Sequence, residues 1–249
     1  MDLGLEGKNA IVTGGSMGIG TAVALALARE GCNVAINYRR HDTEAKEVAR
    51  KVEEMGRTGL AIKADVASYQ DAQDMVQTVI EKFGRLDIMV CNAGINWDGV
   101  IWKMTEEQWD TVINVNLKGY FNYNKAAAQV FKDQKSGKIV NISSINGLRG
   151  KFGQTNYSAS KGGEIALSKA LARELGKFNV NVNVVAPGMV MTEMARNIPT
   201  EFLNKAVDET VLGRVAATED CADLVIFLCS DRARHITGEV IKIDGGQYI

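Results

Sequence analysis

The chain has 249 residues, 46% hydrophobic and 24% charged, with 29 basic residues against 30 acidic ones. These proportions exclude a mainly disordered chain, and the balanced charge offers no general attraction to nucleic acid or an anionic membrane. The acidic start Met1-Asp2-Leu3-Gly4 is not a secretory signal, and the apolar run 22–28 is too short to span a bilayer, so a soluble cytoplasmic protein is expected. Four cysteines, at 32, 91, 221 and 229, lack CxxC spacing and read as reduced, packed thiols. With only Pro187 and Pro199 as prolines, and no linker or repeat, one domain over 1–249 is expected.

In chain order, short apolar runs predict strands at 9–13, 33–37, 59–63, 86–91, 138–142, 181–185 and 240–243. Amphipathic stretches predict helices at 19–30, 43–55, 69–83, 105–131, 156–177 and 219–230. Strand–helix alternation predicts an α/β fold: a Rossmann-type doubly wound parallel sheet of about seven strands, with helices on both faces. In such sheets ligands bind beyond the C-terminal strand ends, where strand order reverses.

After the first strand comes Thr13-Gly14-Gly15-Ser16-Met17-Gly18-Ile19-Gly20. Glycines let a tight turn approach a ligand, and the following helix start suits a pyrophosphate. The second strand ends in Asn37-Tyr38-Arg39-Arg40-His41-Asp42. No acid stands at the strand end to hold ribose hydroxyls, and a guanidinium there suits a 2′-phosphate. Tyr157-Ser158-Ala159-Ser160-Lys161 opens a helix, placing Tyr157 and Lys161 on one face. A free tyrosine has a pKa of about 10, and a nearby ammonium lowers it toward use as an acid–base group. Ser143 and Ser144, after the fifth strand, reach the same edge and can hydrogen-bond a carbonyl.

The motifs Thr13-Gly14-x3-Gly18-Ile19-Gly20, Asp65-Val66, Asn92-Ala93-Gly94, Asn114-Val115-Asn116, Ser144, Tyr157-x3-Lys161, and Pro187-Gly188 with Thr192 resemble those of the short-chain dehydrogenases/reductases, over nearly the whole chain. The resemblance implies a catalytic tetrad of Asn116, Ser144, Tyr157 and Lys161. It implies cofactor contacts from the glycine turn with Ser16 and Met17, from Tyr38 and Arg39, from Asp65 and Val66 at adenine, and from Asn92, Ala93 and Gly94. Tyr157 and Lys161 would serve the nicotinamide end, with Pro187, Gly188 and Thr192. It also implies a homotetramer and a substrate lid within about 188–213. Two positions depart from the pattern: Met17 replaces a base common in NADPH-dependent relatives, and Cys91 replaces an asparagine. The cofactor reading is therefore NAD(P), leaning to NADP(H) through Arg39, with NAD(H) still open.

The only histidines, His41 and His235, have no ligand partners at metal spacing, so no metal is expected. Asn96, Trp97, Trp102, Phe152, Met189 and Met194 are candidates for the substrate pocket, and apolar aromatic walls suit a hydrophobic substrate. In relatives that reduce acyl groups on a carrier protein, basic residues precede the fifth and sixth strands. Lys135 matches the first position, whereas Phe178 occupies the second. The favoured reading is hydride transfer between the cofactor and a small hydrophobic or aryl ketone/secondary alcohol. The alternative is a 3-oxoacyl-[acyl-carrier-protein] reductase, and a non-catalytic nucleotide-binding sensor is a further one. Acyl carrier protein is thus a possible but not a favoured partner.

Overall fold

The structure is a computed structural model that describes residues 2–192 and 200–249. Seven parallel strands form one sheet in the order β3-β2-β1-β4-β5-β6-β7. They are β1 Asn9–Val12, β2 Asn33–Tyr38, β3 Gly59–Lys63, β4 Ile88–Cys91, β5 Gly137–Ile142, β6 Val180–Pro187 and β7 Val240–Ile243. Alternate strand residues bury into opposite cores. Ala10, Val12, Val34 and Ile36 pack under α1 (Gly18–Arg29), α2 (Asp42–Glu54) and, further along the sheet, the helix Thr218–Cys229. Ile11, Ala35, Met89 and Ile139 pack under α3 (Tyr69–Phe83) and the helices Gly119–Gln134 and Thr155–Leu175. Because both faces are covered, the strands read as continuous apolar runs.

The predicted helix 105–131 is three segments: α4 (Glu106–Ile113), a π turn at Asn114–Lys118, and α5 (Gly119–Gln134). Thr105 caps α4, accepting from the Gln108 N–H while the Gln108 side chain accepts from the Thr105 N–H. The π turn widens the helix beside the sheet edge, as such bulges commonly do at functional sites. Two helices lay outside the predicted pattern, α6 (Asn146–Arg149) and α8 (Thr200–Asp208); α7 is Thr155–Leu175 and α9 is Thr218–Cys229. All four cysteines are buried and unpaired by disulfides. Among the described residues, no helix is long and apolar enough to cross a membrane.

Strand order reverses between β1 and β4, which pair directly with Val12 opposite Val90. The chain leaves these two ends toward opposite faces, so a crevice opens beyond Thr13 and Asn92.

Candidate active site

The crevice is built first by Thr13. Its hydroxyl accepts the backbone N–H of Asn92 (2.9 Å) and of Ala93 (3.1 Å), tying the β4 exit to the β1 exit. The Asn92 carboxamide donates back to the carbonyls of Thr13 (3.0 Å) and Gly14 (3.2 Å). Asn37 holds the other side, accepting the Gly14 N–H at 2.7 Å and donating to the Ala64 carbonyl at 2.9 Å.

Gly14 and Gly18 have φ of +62° and +56°, so the turn requires glycine there. Gly20 is needed for space: a Cβ on it would lie 2.2 Å from the Gly14 carbonyl oxygen and 2.5 Å from Asn92 Nδ2. Ser16, Met17 and Ile19 are half-buried along the same turn. The first turn of α1 has no acidic residue, and Met17 makes no side-chain cap, an arrangement that suits an anion at the helix N-terminus. A Cβ on Gly18 would sit 3.3 Å from Thr192 Cγ2, which places Thr192 across the turn. These residues fit a dinucleotide pyrophosphate.

At the C-terminal end of β2, Arg39 Nη1 donates to Asp65 Oδ2 at 3.3 Å. Asp65 Oδ1 also accepts the Ala67 N–H at 3.0 Å. Tyr38 donates its hydroxyl to Asp42, which also pairs with Lys46 at 2.8 Å. Arg39 thus pairs with Asp65 while both side chains remain solvent-exposed. Val66 is buried, and its carbonyl accepts from Asn122 Nδ2 at 2.9 Å.

The four tetrad positions meet at the C-terminal edge of β4 and β5. Asn116 is fully buried in the π turn. Its Oδ1 accepts the Ile95 N–H (2.9 Å), and its Nδ2 donates to the Ile95 carbonyl (3.0 Å) and to Ser160 Oγ (3.0 Å). Lys161 is buried, and its Nζ donates to the Ile142 carbonyl at 2.8 Å. The same Nζ lies 5.7 Å from the Tyr157 ring centre and 5.0 Å from that of Tyr120. Gly94 lies over this pair: its missing Cβ would be 3.5 Å from Asn116 Oδ1 and 3.6 Å from Lys161 Nζ. Ser144 Oγ accepts the Asn146 N–H at 3.1 Å and lies 3.5 Å from the Pro187 carbonyl. Gly188 follows at the end of β6, its N–H donating to the Ile243 carbonyl at 2.9 Å.

The sequence leads one to expect Lys161 to lower the Tyr157 pKa. In the chain alone the balance runs the other way: burial raises it most, Lys161 and a hydrogen bond with Ser144 lower it, and Glu164 and Asp98 raise it. Glu164 is a component the sequence reading missed. It follows Lys161 by three residues, is fully buried, and touches Nζ. The i, i+3 spacing is its only sequence signal, and such pairs are common on exposed helix faces. Burial pushes its carboxyl up to about 8, against the pull of Lys161.

The pocket candidates are less gathered. Phe152 is 83% exposed, Trp102 73% and Trp97 42%. Asn96 is exposed and donates to Asp98 at 3.2 Å. The three aromatic side chains are exposed rather than gathered into a closed wall. Met189 is half-buried, its N–H donating to Gln247 Oε1 at 3.1 Å. Met194 lies outside the described residues, as does part of the lid expected within 188–213. Gln154, unremarked in the sequence, is buried and donates to both oxygens of Asp98 at 3.0 and 3.1 Å.

The family model described as enoyl-(acyl carrier protein) reductase matches residues 14–247. The 3-oxoacyl-[acyl-carrier-protein] reductase FabG of Staphylococcus aureus (strain Mu50 / ATCC 700699) is 42% identical over 242 residues, covering 97% of this chain and 98% of the relative. The chain belongs to the short-chain dehydrogenase/reductase family. The acetoacetyl-CoA reductase of Shinella zoogloeoides is 43% identical over 241 residues, covering 96% and 98%. A crystal structure from Sinorhizobium meliloti 1021, assigned as a short-chain alcohol dehydrogenase, superposes with a TM-score of 0.93 at 34% identity, covering 97% of this chain and 96% of that one. As a short-chain dehydrogenase/reductase, the protein is an NAD(P)-dependent oxidoreductase.

Proposed function

We propose that the protein reduces a 3-oxoacyl thioester to the 3-hydroxyacyl thioester, with NADPH as the favoured cofactor. The observation that carries this reading is the meeting of Ser144, Tyr157 and Lys161 beyond the strand ends, in a chain that aligns almost end to end with two reductases named for 3-oxoacyl thioesters. The reduced nicotinamide, when bound, supplies a hydride to the carbonyl carbon. Ser144 Oγ donates a hydrogen bond to the carbonyl oxygen and orients it. Tyr157 gives its hydroxyl proton to that oxygen as the C–H bond forms, leaving a phenolate that is reprotonated before the next turnover. Lys161 stabilises this phenolate. Asn116, fixed on Ile95, holds the loop after β4 against the site.

The free ketone is the second reading, and the exposed aromatic side chains of Trp97, Trp102 and Phe152 favour it. Lys135 is exposed ahead of β5, while Phe178 ahead of β6 carries Lys177 Nζ 5.1 Å above its ring. A positive charge is therefore present near both positions that the carrier-protein reading needs, and this supports the thioester reading over the ketone. The deciding measurement is kcat/KM for a 3-oxoacyl group on carrier protein, on coenzyme A, and for an aryl methyl ketone, at low and high salt. A thioester preference is expected. A ketone preference overturns it, and no cofactor oxidation with any substrate supports the sensor reading instead.

For the cofactor, Arg39 together with the bare end of β2 supports NADP(H). Arg39→Ala is expected to weaken NADP(H) binding by about 1.5 kcal/mol, roughly tenfold, through a lost charge-assisted bond. NAD(H) binding should barely change. Equal losses in two fluorescence titrations would show that Arg39 does not read the 2′-phosphate.

A homotetramer is part of the same proposal. β7 ends the sheet with an open edge, and its four residues are all partly exposed, a surface that folded proteins usually cover. Light scattering that finds a stable monomer refutes this assembly.

A further inference from the structure

Glu164 sits on α7 one turn beyond Lys161 and is fully buried. Its Oε2 accepts a hydrogen bond from Lys161 Nζ at 3.1 Å. Its Oε1 lies 3.0 Å from the same nitrogen, outside the hydrogen-bonding direction, and accepts no hydrogen bond. Hydride transfer needs no carboxylate here. Burying one is costly, and an apolar residue of similar volume would often hold the core as well or better. A packing role alone therefore does not account for the acid.

Its surroundings limit what it can act on. On α7 it faces Lys161 and acts on Tyr157. From α5 comes Tyr120, whose hydroxyl donates to the Ile142 carbonyl that also accepts from Lys161. From β4 comes the Cys91 thiol, itself held neutral by burial. Asp98, in the loop after β4, adds a second negative charge acting on Tyr157. The remaining layer is neutral: Asn124 donates to Asn141, Asn141 to Ser168, and Ser168 to the Glu164 carbonyl, at 3.2, 2.8 and 2.6 Å. Lys161 is the cation that faces Glu164.

We propose that Glu164 is a positioning residue for the reaction: it holds the Lys161 ammonium, offsets part of its charge, and so sets the pH at which Tyr157 gives up its proton. The sign follows from the charges. An ammonium near a phenol favours the phenolate. A carboxylate touching that ammonium cancels part of the effect, and Tyr157 keeps its proton to higher pH. Burial raises both groups, and the charged form of Glu164 is the one that raises Tyr157. A protonated tyrosine is the form that carbonyl reduction consumes. Glu164 thus keeps the acid form of Tyr157 populated to higher pH and moves the onset of alcohol oxidation upward, leaving the equilibrium between ketone and alcohol unchanged.

The inference rests on Tyr157 being the acid–base group. Its test is the ionisation of Tyr157 in cofactor-free protein, read as the tyrosinate absorbance that the Tyr157→Phe variant lacks. Glu164→Gln keeps the shape and removes the charge, and Glu164→Leu is a second variant that fills the site with an apolar side chain. Both are expected to move Tyr157 ionisation to lower pH by about one unit. The rising limb of the pH profile for alcohol oxidation should move in the same direction, while Glu164→Asp, which keeps the charge, should restore most of the parent profile. A structural role alone would lower kcat at every pH without moving the limb. Unchanged ionisation in Glu164→Gln or Glu164→Leu overturns the inference, even where Tyr157→Phe is inactive. Full turnover in Tyr157→Phe would instead sink the acid–base reading itself.

Discussion

Tyr157→Phe is expected to lower turnover by about 10²–10⁴-fold, the usual contribution of a positioned general acid. The substitution keeps the ring and removes only the hydroxyl. The ring edge near Lys161 and the backbone bond from the Tyr157 N–H to Asn156 Oδ1 (2.7 Å) stay in place. Cofactor binding should therefore remain near normal, which separates a lost proton from a lost site. Single-turnover kinetics with a 3-oxoacyl thioester, beside a fluorescence titration of cofactor, check both halves. Retention of more than about a tenth of parent turnover would remove Tyr157 from the acid–base role.

Gly20→Ala is the second large effect. Its new methyl would meet the Gly14 carbonyl oxygen at 2.2 Å and Asn92 Nδ2 at 2.5 Å. Neither neighbour can easily give way. Gly14 is tied to Asn37, and Asn92 donates to both Thr13 and Gly14. The turn must shift, and overpacking of this kind costs about 1–3 kcal/mol. At about 2–4 °C per kcal/mol for a chain of this size, Tm should fall by several degrees. Cofactor affinity should fall by about tenfold or more if the displaced backbone is, as its fit suggests, the part that meets the pyrophosphate. Affinity within about twofold of the parent would show that the turn tolerates a Cβ and that the cofactor does not approach it closely.

The sequence makes legible whatever is written locally. The glycine turn, the apolar strands and the Tyr157–Lys161 spacing are contiguous patterns, and the structure has the strands in one sheet, the turn against the β4 exit and Lys161 over the Tyr157 ring. Features that depend on contacts between distant residues are not legible. Arg39 finds Asp65, 26 residues on, so a loop arginine has a partner that local pattern does not reveal. The π turn around Asn116 interrupts what reads as one amphipathic helix, and there the Asn116 carboxamide pairs with the backbone of Ile95, 21 residues away. Glu164 reads as ordinary helix decoration until its full burial is known. The raised pKa of Tyr157 has the same origin: Tyr-x-x-x-Lys spacing reveals the ammonium but neither the desolvation nor the opposing carboxylates. The aromatic residues near the mouth show the limit in the other direction. Composition suggests a pocket wall, whereas Phe152 and Trp102 lie largely in solvent.

The pairing of β1 with β4 also governs the order in which the chain can fold. β1 meets β2 early in synthesis, since Asn9 pairs with Asn33, but its other neighbour begins only at Ile88, opposite Ala10. Closing that interval is a slow, non-local step. Until it happens, a nascent chain that has already formed β1, β2 and β3 carries an open strand edge of Ala10, Ile11 and Val12, an apolar template for misplaced pairing. The Thr13 hydroxyl can collect the amides of Asn92 and Ala93 only after β4 has docked. The crevice is thus absent from every emerging chain in which β4 has not yet docked, and it opens in one step with the pairing of β1 and β4.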